Sequence, residues 1–389
     1  MSEPRLFTAR FFVMCAYTFT VFISLFQLLP AAPYHVLDLG GTTFAAGLFL
    51  GFLTYASALS APFTGGLADR LGHRRVLISV SLILAGFSTS YALITDYRWL
   101  LAVVFLHGLF WSGLLAASGA YLTASVPVSR RAEGISYWGL SSVIAMAVAP
   151  TLGFWMYRHG WAALCFEMVA LNLLMALIAW RLPDDHEEAQ AQPRASAAEH
   201  PQGSIVEWPV LALSVTMALI AFGYGGLTSF SALFADDLGV TPRSLFLSVM
   251  AVSILSGRLL IGRSLDRLGH RRVFLPCLVS TACGLAVLAI ATTGTIFIVA
   301  ALTFGFGFGL LYPAYAAYIM ERIPFARRGA AFGAILAAFD TGVGSGSTTI
   351  GWLIHQFGFR PAFGIAAGVA AIALPYFLIV ERRVGFHRG

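Results

Sequence analysis

Three acid–base side chains sit deep inside long apolar runs of this 389-residue chain: Asp340, His107 and Glu167. An ionised group at the centre of a hydrocarbon layer costs about 2.5–3.5 kcal/mol on insertion scales, so such residues tend to face a cavity or a partner. Asp340 lies about ten residues into its run, roughly 15 Å from the nearer end at helical rise. Gly344, Thr348 and Gly351 continue its face. Such a carboxyl can carry a proton or hold a polar solute; the alternative is a structural carboxylate bonded to neighbouring hydroxyls or helix ends. His107 would titrate near neutral pH, and reads either as a proton carrier or as a buried, hydrogen-bonded imidazole. Glu167 is the third candidate for proton coupling. One arginine, Arg258, also falls within a run.

Other chemistries find no footing. Cys15, Cys165, Cys277 and Cys283 all lie in apolar runs without CxxC spacing or a nearby histidine, so neither a disulfide nor a metal site is expected. Gly305, Gly307 and Gly309 form a GxGxG string, but no strand precedes it, and close helix packing explains it better than a nucleotide. There is no P-loop, so ATP is not the direct energy source. No cofactor is expected. No paired carboxylates, nucleophile–base pair or metal-ligand spacing point to an enzyme.

The elements that must position these residues are membrane helices. Hydrophobic residues make up 58% of the chain and charged residues only 11%, against about 25% charged in soluble domains. The apolar residues gather in twelve runs: about 9–30, 44–64, 75–94, 98–125, 133–157, 161–181, 207–230, 244–264, 273–291, 295–320, 330–356 and 361–380. Each is near the roughly twenty residues that cross a bilayer as helix. The expected fold is an all-α membrane protein of twelve transmembrane helices. Every basic residue is arginine, and with a cytoplasmic first segment 19 of the 24 fall in cytoplasmic segments. That bias puts both termini in the cytoplasm. Scattered over short loops, the net charge of +6 does not describe a nucleic-acid surface.

The octapeptide Asp-Arg-Leu-Gly-His-Arg-Arg-Val occurs at Asp69–Val76 and again at Asp266–Val273, 197 positions on. At the same offset Gly65 matches Gly262, Gly108 matches Gly305, Pro127 matches Pro324, Arg130-Arg131 matches Arg327-Arg328 and Trp155 matches Trp352. The chain therefore reads as two related six-helix halves, 1–182 and 207–389, pseudo-symmetric and joined by a polar Pro/Ala-rich linker over 183–206. Gly72 and Gly269 permit a tight turn. Asp69 and Asp266 can accept hydrogen bonds from neighbouring arginines or from an exposed helix N-terminus.

These features resemble the major facilitator superfamily over essentially the full length. The stretch Gly65 to Arg75 is similar to that family's loop motif between helices 2 and 3, with its counterpart between helices 8 and 9. Leu29-Pro30-Ala31-Ala32-Pro33 and Arg130-Arg131-Ala132-Glu133-Gly134 resemble motifs of the drug-efflux-like, proton antiporter branch. The resemblance implies a gating cluster that latches the halves: Gly65, Asp69, Arg70, Gly72, Arg74 and Arg75, and on the other side Asp266, Arg267, Gly269, Arg271 and Glu321. Ala124 stands where the family often has an acid that Glu321 supplies in the second half. The first latch is therefore weaker, or is completed by Glu133. The family's helices 1, 4, 7 and 10 line the pathway, and their polar-aromatic stripes are Tyr17, Thr20, Ser24 and Gln27; His107 and Trp111, with Ser112 and Ser118; Tyr224 and Thr228, with Ser231; and Phe304, Phe308, Tyr312 and Tyr315. Such a cavity suits a neutral or amphipathic organic solute. Helix 6, which carries Glu167, is peripheral in the family. Two departures weigh against the drug antiport mechanism: Val104 replaces an arginine common in helix 4, and the helix 5 motif lacks glycines, reading Ala145, Ala149 and Pro150.

The resulting expectation is a secondary transporter of the bacterial inner membrane, multi-pass and monomeric. Its partners would be the lipid bilayer, a small-molecule substrate and protons. Proton-coupled efflux leads; metabolite uptake by symport or facilitated diffusion is the alternative, and a non-transporting membrane sensor follows.

Overall fold

The computed structural model describes residues 6–127, 130–184, 208–261, 268–324 and 327–385. Asp266, Arg267, Gly262 and most of the linker lie outside them. Among the described residues there are twelve helices: α1 (Ala9–Asp38), α2 (Thr43–Leu71), α3 (His73–Leu93), α4 (Tyr97–Ser125), α5 (Arg131–Tyr157), α6 (Trp161–Trp180), α7 (Trp208–Asp237), α8 (Leu245–Ile261), α9 (His270–Ala289), α10 (Gly294–Met320), α11 (Arg328–Phe357) and α12 (Phe359–Val384).

Side-chain caps start several of them: Thr8 accepts from the Phe11 N–H, Thr42 from Ala45, Asp96 from Arg98 and Thr293 from Ile296. At both octapeptide turns a glycine with left-handed φ starts the next helix, Gly72 at +89° and Gly269 at +85°. A side chain there would be strained, so the repeated glycine has a backbone cause. Helix α1 runs past its expected end: it passes through Pro30 and Pro33 to Asp38. Tertiary neighbours can compensate the lost N–H donors of prolines inside membrane helices.

Ten of the twelve helices are long and apolar enough, by length and composition, to cross a membrane. The twelve expected helices are all present, and two of them do not meet that measure within the described residues. Helix α8 has 17 described residues and falls short by length. Helix α11 has the length, 30 residues, but its composition is diluted by Asp340, glycines and hydroxyls. The reason is its surroundings, because α11 packs between α2 and α7. A β-carbon placed on Gly346 would lie 1.8 Å from the Phe222 carbonyl oxygen, and one on Gly47 of α2 would lie 2.3 Å from that of Ser347. Small residues allow such backbone approach where lipid supplies no hydrophobic drive between helices.

The remaining neighbours are local. Helix α1 lies against α5 and α6, α3 against α4 and α6, α2 against α4, α9 against α10 and α12, and α10 against α8. The first six helices meet the last six chiefly along α2–α11, α5–α8 and α1–α7.

Candidate functional site

The described hydrogen bonds between the first and last six helices gather toward one end of the seam. At the end opposite the octapeptides, Thr43 Oγ1 donates to Gly351 O at 2.8 Å and Ser347 Oγ to Gly47 O at 2.9 Å. Thr151 of α5 bonds Ser244 and Ser248 at 3.2 and 3.1 Å. Tyr34 OH donates to Asp236 Oδ2 at 2.9 Å, and Arg243 bonds the same carboxylate while its guanidinium sits 4.6 Å from the Tyr34 ring centroid. Partial burial opposes the Arg243 charge, yet the Asp236 bond and the nearby tyrosines hold its pKa above the ordinary guanidinium value.

Further along α2, Tyr55 OH donates to Ser345 Oγ at 3.0 Å, and Ser57 Oγ donates to Asp340 Oδ2 at 3.1 Å. Beyond Ser57 the described contacts between the two groups thin out. Phe63 is 77% exposed and Leu67 54%, and on α8 Leu259 and Leu260 are 62% and 73% exposed. Asp340 thus accepts the described α2–α11 hydrogen bond nearest the octapeptide end. Next to it is an aromatic wall: Tyr224 stacks on Phe308 at 4.5 Å, Phe308 on Phe304 at 5.3 Å, and Tyr312 meets Phe339 edge-on at 5.8 Å. The arrangement offers one titratable carboxyl, a hydroxyl partner on the facing helix and a flat apolar surface.

Several expected pathway residues are placed elsewhere. Tyr17 is fully buried against α3, its hydroxyl 3.0 Å from Ser81 Oγ. Ser24 donates to Asn172 Oδ1 of α6 at 3.1 Å, and Asn172 donates on to Ser88 of α3. Gln27 donates to Glu167. The α1 stripe is therefore bonded inside the first six helices, although Gln27 Oε1 is buried without a partner; spacing identifies a face but not what the face meets. Glu167 is half-buried and bonded to α1. Thr20 returns its hydroxyl to Ala16 O and helps line a groove of about 550 Å³ among α1, α5 and α6, which does not touch Asp340. His107 is 2% exposed, with Nδ1 3.0 Å from Tyr91 OH and its ring near parallel to Phe87 and Tyr91. That is the buried-imidazole alternative. Tyr315 is fully buried with its hydroxyl on Ser214, and Thr228 bonds its own helix at Tyr224 O. Trp111 meets Phe22 of α1 edge-on.

The octapeptide turns share a backbone but not their partners. Asp69, with a side chain 73% exposed, bonds His73 one turn along; Arg70 and Arg75 are exposed. Arg74 donates to Trp180 O at 2.7 Å and lies 3.8 Å from Asp184, so it ties its turn to the end of α6. Its counterpart Arg271 forks onto Glu381 of α12 at 2.8 and 2.9 Å, and Tyr318 also donates to that carboxylate. Glu381 is 1% exposed. Glu321 takes His270 at 2.7 Å, a bond Ala124 cannot offer in the first half. Glu133 pairs with Arg130 at 2.8 Å.

Sequence reading missed Ser57, Asn172, Glu381 and the use of Arg258. Only the last had a signal: Pro313 has no N–H, so Gly309 O, four residues back in α10, lacks its helical donor. Arg258 Nε fills that gap at 3.0 Å.

A bundle of long apolar helices, with a half-buried carboxyl between α2 and α11, has the build of a polytopic membrane protein. Residues 7–263 and 213–386 match the model of the Major Facilitator Superfamily, and the chain belongs to that family of transporters. It is 25% identical to the uncharacterized MFS-type transporter YhhS of Escherichia coli (strain K12), over 96% of this chain and 94% of that protein. An uncharacterized MFS-type transporter of Pseudomonas aeruginosa is 26% identical over 94% of this chain and 92% of its own length. Among solved structures, the nucleoside transporter NupG superposes with a TM-score of 0.76 at 15% identity, covering 96% of this chain and 99% of that one.

Proposed function

We propose that the protein is a secondary active transporter that exports a small organic solute across the bacterial inner membrane in exchange for protons. Its halves, 1–182 and 207–389, act as two pseudo-symmetric six-helix bundles that rock about the seam. The octapeptide turns and both termini face the cytoplasm, a reading supported by the arginine distribution, and on it the hydrogen-bonded end of the seam is the outer one. The solute sits against Phe308 and Tyr312, which are partly exposed, with Tyr224 and Phe304 packed behind them. Asp69 and the turn arginines of the first octapeptide engage across the seam when the cytoplasmic end closes.

The observation that carries this reading is the Ser57–Asp340 hydrogen bond between α2 and α11 at the opening of the seam. A carboxylate accepts from Ser57, whereas a protonated carboxyl competes to donate. Proton binding therefore changes a bond that spans the two groups of helices, which is the requirement for coupling a proton to their motion. The test is proton movement in everted vesicles when aromatic and amphipathic compounds are added, comparing wild type with Asp340→Asn. Loss of compound-driven proton movement, with expression and folding retained, is the expected result. Unchanged coupling removes Asp340 from the mechanism.

Uptake by symport is the second reading. It is favoured by Val104, fully buried at the position where the drug-efflux-like branch that the sequence resembles often has an arginine. The same vesicles distinguish the two by the direction in which a proton gradient drives the compound.

A further inference from the structure

Arg258 stands in the last described turn of α8, within an apolar run, and its position on that helix is determined by its neighbours. Ser244 and Ser248 face Thr151 of α5. Met250, Ser253 and Gly257 face α10, where Ser253 donates to Leu302 O. Between these two directions runs the line Leu247, Ala251, Ile254 and Arg258 at helical spacing. The first three are 5%, 2% and 4% exposed. Arg258, nearest the open end of the seam, is half-buried. Its side chain reaches the α10 backbone at Gly309, one residue from Phe308 and the aromatic wall.

Only Nε is used there. The bond to Gly309 O is the one hydrogen bond that the described residues give this guanidinium, leaving the Nη1 and Nη2 donors of its fork. Filling the gap left by Pro313 needs one neutral N–H or O–H, which a serine or glutamine could supply without placing a charge among apolar helices. A permanent cation is a costly way to fill a backbone gap. It is well suited to anion binding, because a guanidinium fork matches the two oxygens of an oxyanion. The matched position in the first half is Ala61, 197 residues earlier, so the charge belongs to one side of the pathway.

We propose that Arg258 is the anion-recognition residue of the pathway, and that the solute carries a carboxylate or phosphate oxyanion on an aromatic body. The oxyanion takes the guanidinium fork and the body lies along Phe308, Tyr224 and Tyr312. This narrows the neutral or amphipathic solute expected from the sequence, and it rests on the reading of the protein as a transporter.

The experiment is thermal unfolding of the full-length protein in nanodiscs with 1-naphthoate, 1-naphthyl phosphate or the uncharged 1-naphthamide, without any gradient. Wild type is expected to be stabilised by the naphthoate or the phosphate ester, and the responding arm identifies the oxyanion; naphthamide gives no comparable shift. Arg258→Gln keeps an N–H for Gly309 O but loses the charge, and should weaken apparent affinity at least tenfold. Arg258→Lys should retain binding at lower affinity. The proposal is overturned if neither anion shifts wild type, if naphthamide shifts it equally, or if Arg258→Gln binds the anion as wild type does. The wild-type comparison needs no variant to fold. Because no proton gradient is involved, failure here leaves coupling through Asp340 to its own assay, and Asp340→Asn should retain the anion response.

Discussion

Identical residues do unequal work in the two turns because their partners differ. Arg74 and Arg271 occupy the same place in the same octapeptide, and Asp184 and Glu381 stand at the matching offset. Asp184 is 47% exposed at 3.8 Å, whereas Glu381 is 1% exposed and receives a fork plus a tyrosine hydroxyl. An exposed pair contributes about 0–1 kcal/mol. Breaking a buried pair costs about 3–5 kcal/mol, since a charge is left unpaired; Arg271 is itself 32% exposed, which places its removal toward the lower figure. Arg271→Met should therefore lower the unfolding midpoint in detergent clearly more than Arg74→Met. Equal midpoints would show that the Glu381 carboxylate finds another partner. The sequence revealed the repeat and the missing acid at Ala124, but not this difference. Partners more than a hundred residues away, such as Glu381 for Arg271, leave no local pattern. For the same reason the Tyr17, Ser24 and Gln27 stripe was legible as a polar face while its neighbours, α3 and α6, were not.

At the scale of elements, hydropathy reads what a helix could bury and says little about what covers it. Ten helices announce themselves by apolar length. Helix α11 was legible as the run 330–356 but is less apolar than those ten, because α2 and α7 flank it and its glycines serve backbone contact. Two substitutions on this one helix separate contact from propensity. A β-carbon at Gly346 would collide with the Phe222 backbone, whereas at Gly333 it would meet nothing within 4 Å. Gly346→Ala should cost roughly 1–3 kcal/mol through overpacking. Gly333→Ala should be neutral or stabilising, since alanine exceeds glycine in helix propensity by about 1 kcal/mol. Thermal midpoints of the two purified variants check this, and a tolerant Gly346 would mean that α11 and α7 can move apart at that level.

At the scale of the molecule, the two ends of the seam are alternatives: contacts that close one end select against closure of the other. Asp236 holds Tyr34 of α1 and Arg243 in one cluster at the closed end, joining the first and last six helices. The bond that crosses the seam here is Tyr34 to Asp236; with Asp236 35% exposed it contributes about 0.5–1 kcal/mol, a shift of roughly two- to fivefold between the two states. Asp236→Asn removes the charge that organises this cluster and leaves the Asp340 region intact. On the proposed reading it should move the population toward opening at that end. In a background with Cys15, Cys165, Cys277 and Cys283 replaced, Thr151→Cys reports on the closed end and Leu67→Cys on the open one. Adding Asp236→Asn should speed maleimide labelling at position 151 and slow it at position 67, each by a factor of about two to five. Opposite changes at the two reporters are the signature of a rocking bundle. Faster labelling at 151 with position 67 unchanged would instead mark local loosening, and would separate the Asp236 cluster from the motion that exposes the octapeptide end.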